Sequence, residues 1–219
     1  MPASGTASAA ASSRRLHQTA RAVASGAPAA APAAVARPAA APATAARANH
    51  HVVIVGSGFS GMLCATYLKE AGVDNLCIFE MTPAVGGVWS KGGVGAYPGA
   101  ACDVPAYSYL PFLDRTGYVP SKKYVNQTEI SEYAELLTDH TGIRDSIVFE
   151  RKVTDIKYIG GEGDAVWEVT TVHPSTGEIA DVVTCMHVVS ANGPLSSPRL
   201  PEIAGMEDFQ GESFHTAAW

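Results

Sequence analysis

Three glycines that separate a strand-like segment from a helix-like segment constrain the fold of this chain more than any other feature. Residues 52–55 (VVIV) form a short, continuous apolar run, which is typical of a strand buried on both faces. Gly56, Gly58 and Gly61 follow at once in "GSGFSG", and residues 59–71 carry apolar side chains at helical spacing. The pattern predicts a strand, a tight glycine turn and a helix.

A second strand-like run comes shortly after this helix. Gly72 is a natural helix stop, and residues 75–80 (NLCIFE) are again mostly apolar. A strand, a helix and a second strand within about thirty residues make the β-α-β unit of a parallel sheet. We therefore expect an α/β fold with a Rossmann-like dinucleotide-binding domain.

The glycines and an acid at the end of the second strand fit a dinucleotide. In such a turn Gly56 permits the sharp bend, Gly58 lets the backbone approach a pyrophosphate, and Gly61 lets the helix pack close to the strand. The helix N-terminus offers free N–H groups to the phosphates. Glu80, nineteen residues after Gly61, is placed to accept hydrogen bonds from a ribose 2′-hydroxyl and would repel a 2′-phosphate. The turn is thus predicted to hold FAD or NAD and to reject NADP.

The segment after Glu80 favours FAD. In "EMTPAVGGVW" a second glycine pair, Gly86 and Gly87, precedes Trp89. The backbone at this pair can reach the flavin side of a pyrophosphate, and the indole of Trp89 can lie against the flavin ring. A simple NAD-dependent oxidoreductase, which is the alternative, has no need of such a pair.

The remaining elements predict a mixed sheet. Residues 82–123 form a long segment rich in Gly, Pro and Tyr, and a loop of that length is usually functional. Asn126 and Glu129 have the spacing of a capping box and predict the start of a helix. "SIVFE" is predicted to be a third parallel strand, and "HVVSANGPLSSP" a strand that runs into a turn. An antiparallel β-meander is predicted from residues 152–159, 165–172 and 178–185.

The first 49 residues differ sharply from the rest. They are mostly Ala, Pro, Ser and Thr, with five arginines and no acidic residue, and they lack large apolar side chains spaced for a helix or strand face. Such a segment cannot bury enough surface to offset its ordering entropy, so residues 1–49 are predicted to be a disordered tail. Its composition fits an organellar transit peptide or, alternatively, a low-complexity extension without a targeting role. We expect a cytoplasmic or organellar protein rather than a secreted one, because prolines interrupt the Ala run and no Leu-rich centre is present.

Charge and cysteine content argue against several classes of partner. Residues 50–219 hold ten basic and all twenty-one acidic residues, which disfavours nucleic acids and anionic membranes. No apolar run reaches the roughly 18 residues of a membrane span. Cys64, Cys77, Cys102 and Cys185 are too scattered for a metal site and are expected to be reduced thiols.

Several motifs together resemble a known family. Besides "GSGFSG" and "GGVW", they are "YPGAACDVPAYSYLPFLDRTGYVPSKKY", "SANGPLSSPRLPEIAG" and the final "FQGESFHTAAW". The last motif fits Phe-x-Gly-x-x-x-His-x-x-x-Trp. These segments resemble the flavin-dependent monooxygenases of the Baeyer–Villiger type, over nearly all of residues 52–219.

The resemblance implies a two-dinucleotide flavoprotein. In the complete enzyme FAD lies on the first turn, NADPH on a second one, and with O2 one oxygen atom is inserted beside a ketone or placed on a heteroatom. The residues that the resemblance assigns to FAD binding are Gly56, Gly58, Gly61, Glu80, Gly86 and Gly87. Those implied to lie near the isoalloxazine and nicotinamide are Trp89, Tyr97 and Asp103. The implied linker motif between the two dinucleotide domains is Phe209, Gly211, His215 and Trp219, with His215 coupling their movement.

One glycine turn of this kind is visible in the sequence. No second Gly-x-Gly-x-x-Gly follows Gly61. We therefore expect residues 50–219 to be an FAD-binding domain, truncated before the NADPH-binding domain, without NADPH-driven turnover of its own. The alternative is a stand-alone FAD-binding or interaction module that associates with a separate chain carrying the missing half.

Overall fold

A computed structural model describes the chain over residues 49–91, 97, 99–161, 166–195, 197–215 and 217. The tail predicted to be disordered, residues 1–49, lies outside these ranges except for Asn49. The described residues divide into two units, one within Ala45–Ser196 and the other within Ser197–Trp219. The first unit contains the elements that carry the candidate site.

A six-stranded mixed sheet forms the centre of the first unit. Its strands are β1 (His50–Val55), β2 (Leu76–Phe79), β3 (Ile147–Val148), β4 (Lys152–Tyr158), β5 (Trp167–Val172) and β6 (Ile179–Ser190). They lie in the order β3-β2-β1-β6-β5-β4. β1 is parallel to both β2 and β6, and β2 is parallel to β3, whereas β5 is antiparallel to β4 and β6. The predicted α/β fold with an antiparallel meander is confirmed.

Two long α-helices and two single-turn α-helices accompany the sheet within the described residues. The long ones are α1 (Phe59–Glu70) and α4 (Gln127–His140), and the single turns are α2 (Ala106–Tyr109) and α3 (Leu113–Thr116). The side chain of Asn126 caps α4 by accepting from Glu129 N at 3.0 Å, as the capping spacing predicts. Lys69 Nζ donates to Gly142 O at 2.8 Å and so ties the end of α1 to the turn after α4.

The apolar residues of β1 and β2 are buried on both faces of the sheet. On one face Ile54 and Ile78 pack with Met62 of α1 and Ala134 of α4. The other face packs against the meander, and its cluster consists of Val53, Cys77, Phe79, Val169 and Cys185. The continuous apolar runs of β1 and β2 follow from this two-sided burial.

Two features differ from the sequence prediction. The segment 82–123 contains the short helices α2 and α3, each a single turn too short to show a helical period. β6 is one continuous twelve-residue strand, where the sequence pattern predicts two separate segments. Its first half pairs with β5 and its second half with β1, so it joins the meander to the parallel strands.

Candidate cofactor site

The glycine turn after β1 is shaped by the packing of the chain itself at two of its three glycines. Gly56 has a φ of +98°, and a Cβ there would lie 2.8 Å from Ala191 O. A Cβ on Gly61 would lie only 2.0 Å from Gly56 O, because α1 runs so close to the turn. These two positions therefore require glycine even without a ligand.

Gly58 has no such reason to be glycine. Its φ of −66° is open to any residue, and the nearest atom to a Cβ would be Gly87 Cα at an ordinary 3.7 Å. α1 begins directly after it, with no side-chain cap and no acidic residue in its first turn. The first N–H groups of a helix lack intrahelical partners, so this end can accept an anion at close range.

The second glycine pair meets the first turn. Gly86 N donates to Ser57 O at 3.1 Å. A Cβ on Gly87 would lie 3.1 Å from Gly58 Cα, closer than side chains normally pack. The structure thus brings the two glycine segments of the sequence together at Gly58 and Gly87.

Glu80 lies at the end of β2 beside the turn, and it is buried. Its Oε2 accepts from Ser57 N at 2.8 Å and Ser57 Oγ at 2.7 Å, and its Oε1 from Thr82 N at 2.9 Å and Thr82 Oγ1 at 2.8 Å. A carboxylate has about four lone-pair sites, and these donors occupy them all. A ribose hydroxyl would have to replace one of the two protein hydroxyls. Thr82 Oγ1 has a second acceptor, Ala84 O at 2.8 Å, to which its proton can turn.

Trp89 is held in place from two sides. Its Nε1 donates to the hydroxyl of Tyr109 at 2.5 Å, and its carbonyl accepts from Gln127 Nε2 at 2.7 Å. The indole stands edge-on to the Tyr109 ring, with centroids 6.0 Å apart. Burial raises the pKa of Tyr109, and the charge of Asp103 adds to this increase. Tyr109 therefore contacts Trp89 directly, and the nearby charge of Asp103 acts on its hydroxyl.

The other predicted residues are more exposed. Asp103 lies on the surface, and Tyr97 is partly exposed, with its carbonyl accepting from Ala100 N at 3.0 Å. Phe209, Gly211 and His215 belong to the second unit, where Phe209 is largely exposed and His215 Nδ1 accepts from Ala217 N at 3.1 Å. Trp219 lies outside the described residues.

Sequence reasoning missed the polar groups that hold these residues. They are Ser57, Thr82, Tyr109 and Gln127. Thr82 has a local signal, because it lies only two residues after Glu80, and its N–H and hydroxyl both donate to that carboxylate. Tyr109 and Gln127 reach Trp89 only through the tertiary fold, so no short-range pattern marks them.

The described ranges contain no cluster of His, Cys, Asp or Glu side chains able to hold a metal ion. Within the same ranges, no helix is long and apolar enough to cross a membrane.

Comparison with known proteins agrees with the geometry. The family described as NAD(P)-binding Rossmann-like domain matches residues 54–119. The chain is 38% identical over 172 residues to a Baeyer–Villiger monooxygenase, ATR8, of Stachybotrys chlorohalonatus, covering 78% of this chain and 26% of the relative. It is 35% identical over 167 residues to Baeyer–Villiger monooxygenase 4 of a Dietzia species, and the match covers 76% of this chain and 26% of that relative. Over this region the chain is similar to flavin-dependent monooxygenases of the Baeyer–Villiger type.

A solved structure shows the same similarity. The complex of OTEMO with FAD and NADP superposes on this chain with a TM-score of 0.66 at 32% identity, over 80% of this chain and 31% of OTEMO. The chain spans about a quarter of the length of the curated relatives it matches.

Proposed function

We propose that this chain binds FAD, as the FAD-binding portion of an NADPH-dependent monooxygenase. The observation that carries the proposal is the meeting of Gly58 with Gly87 at the uncapped start of α1. Gly58 is the one glycine of the first turn that neither its φ nor its neighbours require. A bound pyrophosphate would explain why position 58 is glycine, because a side chain at this position would keep the phosphates away from the backbone.

Each half of FAD has proposed partners. Glu80 accepts hydrogen bonds from the adenosine ribose after a protein hydroxyl turns away. The N-terminal N–H groups of α1 donate to the phosphates. Gly86 and Gly87 let backbone approach the flavin-side phosphate, and the fixed indole of Trp89 lies toward the isoalloxazine. FAD itself supplies the redox and oxygen chemistry.

The complete enzyme is proposed to use NADPH and O2 to oxygenate a ketone or a heteroatom. Tyr97 and Asp103 are proposed to lie near the isoalloxazine and nicotinamide. Because the sequence carries one Gly-x-Gly-x-x-Gly turn, we expect the 219-residue chain to bind FAD without consuming NADPH. NADPH oxidation coupled to ketone oxygenation by this chain alone would contradict that expectation.

An absorbance spectrum tests the cofactor. The full chain is incubated with FAD and desalted, and we expect it to retain the flavin bands. Gly58→Ala should lose them while keeping the wild-type circular dichroism spectrum. Gly161→Ala is the matched control, because a Cβ there meets no atom within 4 Å and its φ is not in the left-handed region. A folded wild-type chain that emerges free of flavin would overturn the proposal.

A competition experiment separates FAD from the alternative cofactor. Excess NAD should not displace bound FAD if the second glycine pair contributes to flavin binding. Displacement of FAD by NAD at comparable concentrations would favour a plain NAD site.

A further inference from the structure

Glu150 holds a backbone conformation that its residue type rarely adopts. It lies in the connection between β3 and β4, its side chain is exposed, and its φ of +54° falls in the left-handed region. A residue with a Cβ incurs a steric cost there, and glutamate is not among the residues enriched in that region. Such residues persist where the surrounding structure holds them, and they cluster at ligand-binding sites.

Backbone hydrogen bonds supply the constraint on Glu150. Glu80 N donates to Val148 O at 3.0 Å, which continues the pairing of β2 with β3. In a regular parallel ladder Glu150 N would be the next donor to Glu80 O. Here Arg151 N donates to Glu80 O at 2.8 Å, and Glu150 N donates to Thr82 O at 3.3 Å. The connection therefore contains one extra residue, a bulge at Glu150.

The bulge holds the backbone that carries the proposed ribose-binding acid. The groups it and β3 hold are the N–H and carbonyl of Glu80 and the carbonyl of Thr82. Thr82 in turn donates to Glu80 Oε1 from its N–H at 2.9 Å and from its hydroxyl at 2.8 Å. Oε1 is also the oxygen whose hydroxyl donor can turn away, to Ala84 O. The surroundings of Oε1 thus depend on how the bulge holds Thr82.

The side chain of Arg151 anchors the bulge to the meander. Its Nε donates to Asp181 Oδ2 at 2.6 Å, and the same oxygen accepts from Thr171 Oγ1 at 3.1 Å. Its Nη1 donates to the carbonyl of Glu150 at 3.1 Å. Because Asp181 lies on β6 and Thr171 on β5, the connection is held to the meander on one side and to the end of β2 on the other.

We propose that Glu150 and Arg151 are positioning residues for the adenosine ribose. Their backbone N–H groups hold residues 80–82 so that Glu80 Oε1 can accept a hydrogen bond from the ribose 2′-hydroxyl. Bulges are known to re-aim side chains beside functional sites. The inference rests on the proposed function, namely that the chain binds FAD, and it assigns neither side chain a contact with the cofactor.

Two diphosphates that differ in one hydroxyl test this role. ADP carries the ribose 2′-hydroxyl and 2′-deoxyADP lacks it, so the ratio of their Kd values reports the contact with Glu80. In titration calorimetry of the full wild-type chain, ADP should bind about tenfold more tightly. Glu150→Val should bring the two Kd values close together, because a β-branched residue at positive φ would displace the bulge.

Two other substitutions at this position separate the backbone from the side chain. Glu150→Gly adopts a positive φ without strain, and Glu150→Gln keeps the size of the side chain, so both should retain the wild-type preference for ADP. Lys157→Val is the matched control, because it places valine at an exposed position of β4, where a strand accommodates it. Loss of the preference in Glu150→Gly would overturn the inference even if Glu150→Val does not fold.

Each remaining outcome has a distinct meaning. A folded Glu150→Val variant with the wild-type preference for ADP overturns the inference. An equal loss of affinity for both diphosphates also overturns it, because the defect is then not confined to the 2′-hydroxyl. A wild-type chain that retains FAD but does not distinguish the diphosphates overturns this inference and leaves FAD binding intact. One that retains no FAD overturns the proposed function and the inference together.

Discussion

Ser57 donates two hydrogen bonds to the same oxygen of Glu80, one from its backbone N–H at 2.8 Å and one from its hydroxyl at 2.7 Å. Because Ser57 lies inside the glycine turn and Glu80 ends β2, this pair joins the two chain segments that flank the proposed cofactor. The carboxylate therefore shapes the turn, in addition to its proposed role in binding a ribose.

Glu80→Gln tests this double role. Each carboxylate oxygen accepts one backbone N–H, from Ser57 or Thr82, so either orientation of the amide sets its NH2 against a buried donor. We expect a loss of about 3 kcal/mol in the free energy of unfolding, measured by urea denaturation, together with lost FAD retention. Ser57→Ala removes a hydroxyl without creating a clash and should cost only about 1 kcal/mol. Equal stabilities of wild type and Glu80→Gln would contradict the structural role.

Gly61→Ala tests the close approach of α1 to the turn. The new Cβ would lie 2.0 Å from Gly56 O, a backbone atom that cannot move without displacing the turn. We expect a loss of about 3 kcal/mol in the free energy of unfolding. Gly58→Ala, whose Cβ meets only an ordinary contact, should change stability by less than about 0.5 kcal/mol. Similar stabilities for Gly61→Ala and Gly58→Ala would contradict the prediction that packing requires glycine at position 61 and not at position 58.

The sequence predicts the parallel strands, α1 and α4 well because each has a strong local signal. β1 and β2 are continuous apolar runs, and α4 has the Asn126 cap. The single twelve-residue β6 was not predicted, because its two halves pair with different strands and no local pattern records that.

The candidate site shows the same division between local and tertiary information. Spacing alone identifies Gly56, Gly58 and Gly61, and the structure adds that neighbouring backbone atoms require glycine at Gly56 and Gly61 but not at Gly58. The contact of Gly87 with Gly58 is a tertiary contact between segments nearly thirty residues apart in the sequence. Sequence spacing can suggest it but cannot measure it.

Tyr109→Phe tests the support of Trp89. The variant keeps the edge-on ring contact but leaves the indole Nε1–H without the hydroxyl that it now meets at 2.5 Å. We expect a loss of about 1 kcal/mol in the free energy of unfolding and a shift in tryptophan emission. Tyr107→Phe is the matched control, since Tyr107 is 66% exposed. Identical emission and stability in wild type and Tyr109→Phe would show that this hydrogen bond is not maintained in solution.

Alkaline pH should destabilise the chain through Cys77. This thiol on β2 packs in the cluster beneath the meander, and burial raises its pKa from the ordinary 9.0 to about 12, with the charges of Asp181 and Cys185 adding to the increase. Between these two values the folded chain holds a proton that the unfolded chain has lost. The stabilising contribution is therefore complete below pH 9 and is lost as pH rises toward about 12.

Urea unfolding at a series of pH values measures this contribution. The free energy of unfolding of wild type should fall above pH 9, and Cys77→Ala should fall less steeply, although it starts lower because a buried side chain is truncated. Cys64→Ala is the control, because Cys64 is only partly buried and its pKa is raised by burial alone. Because burial also raises the pKa of Cys64, the alkaline slope of this variant should lie between those of wild type and Cys77→Ala. Parallel slopes for wild type and Cys77→Ala would mean that Cys77 ionises as readily in the folded chain as in the unfolded one.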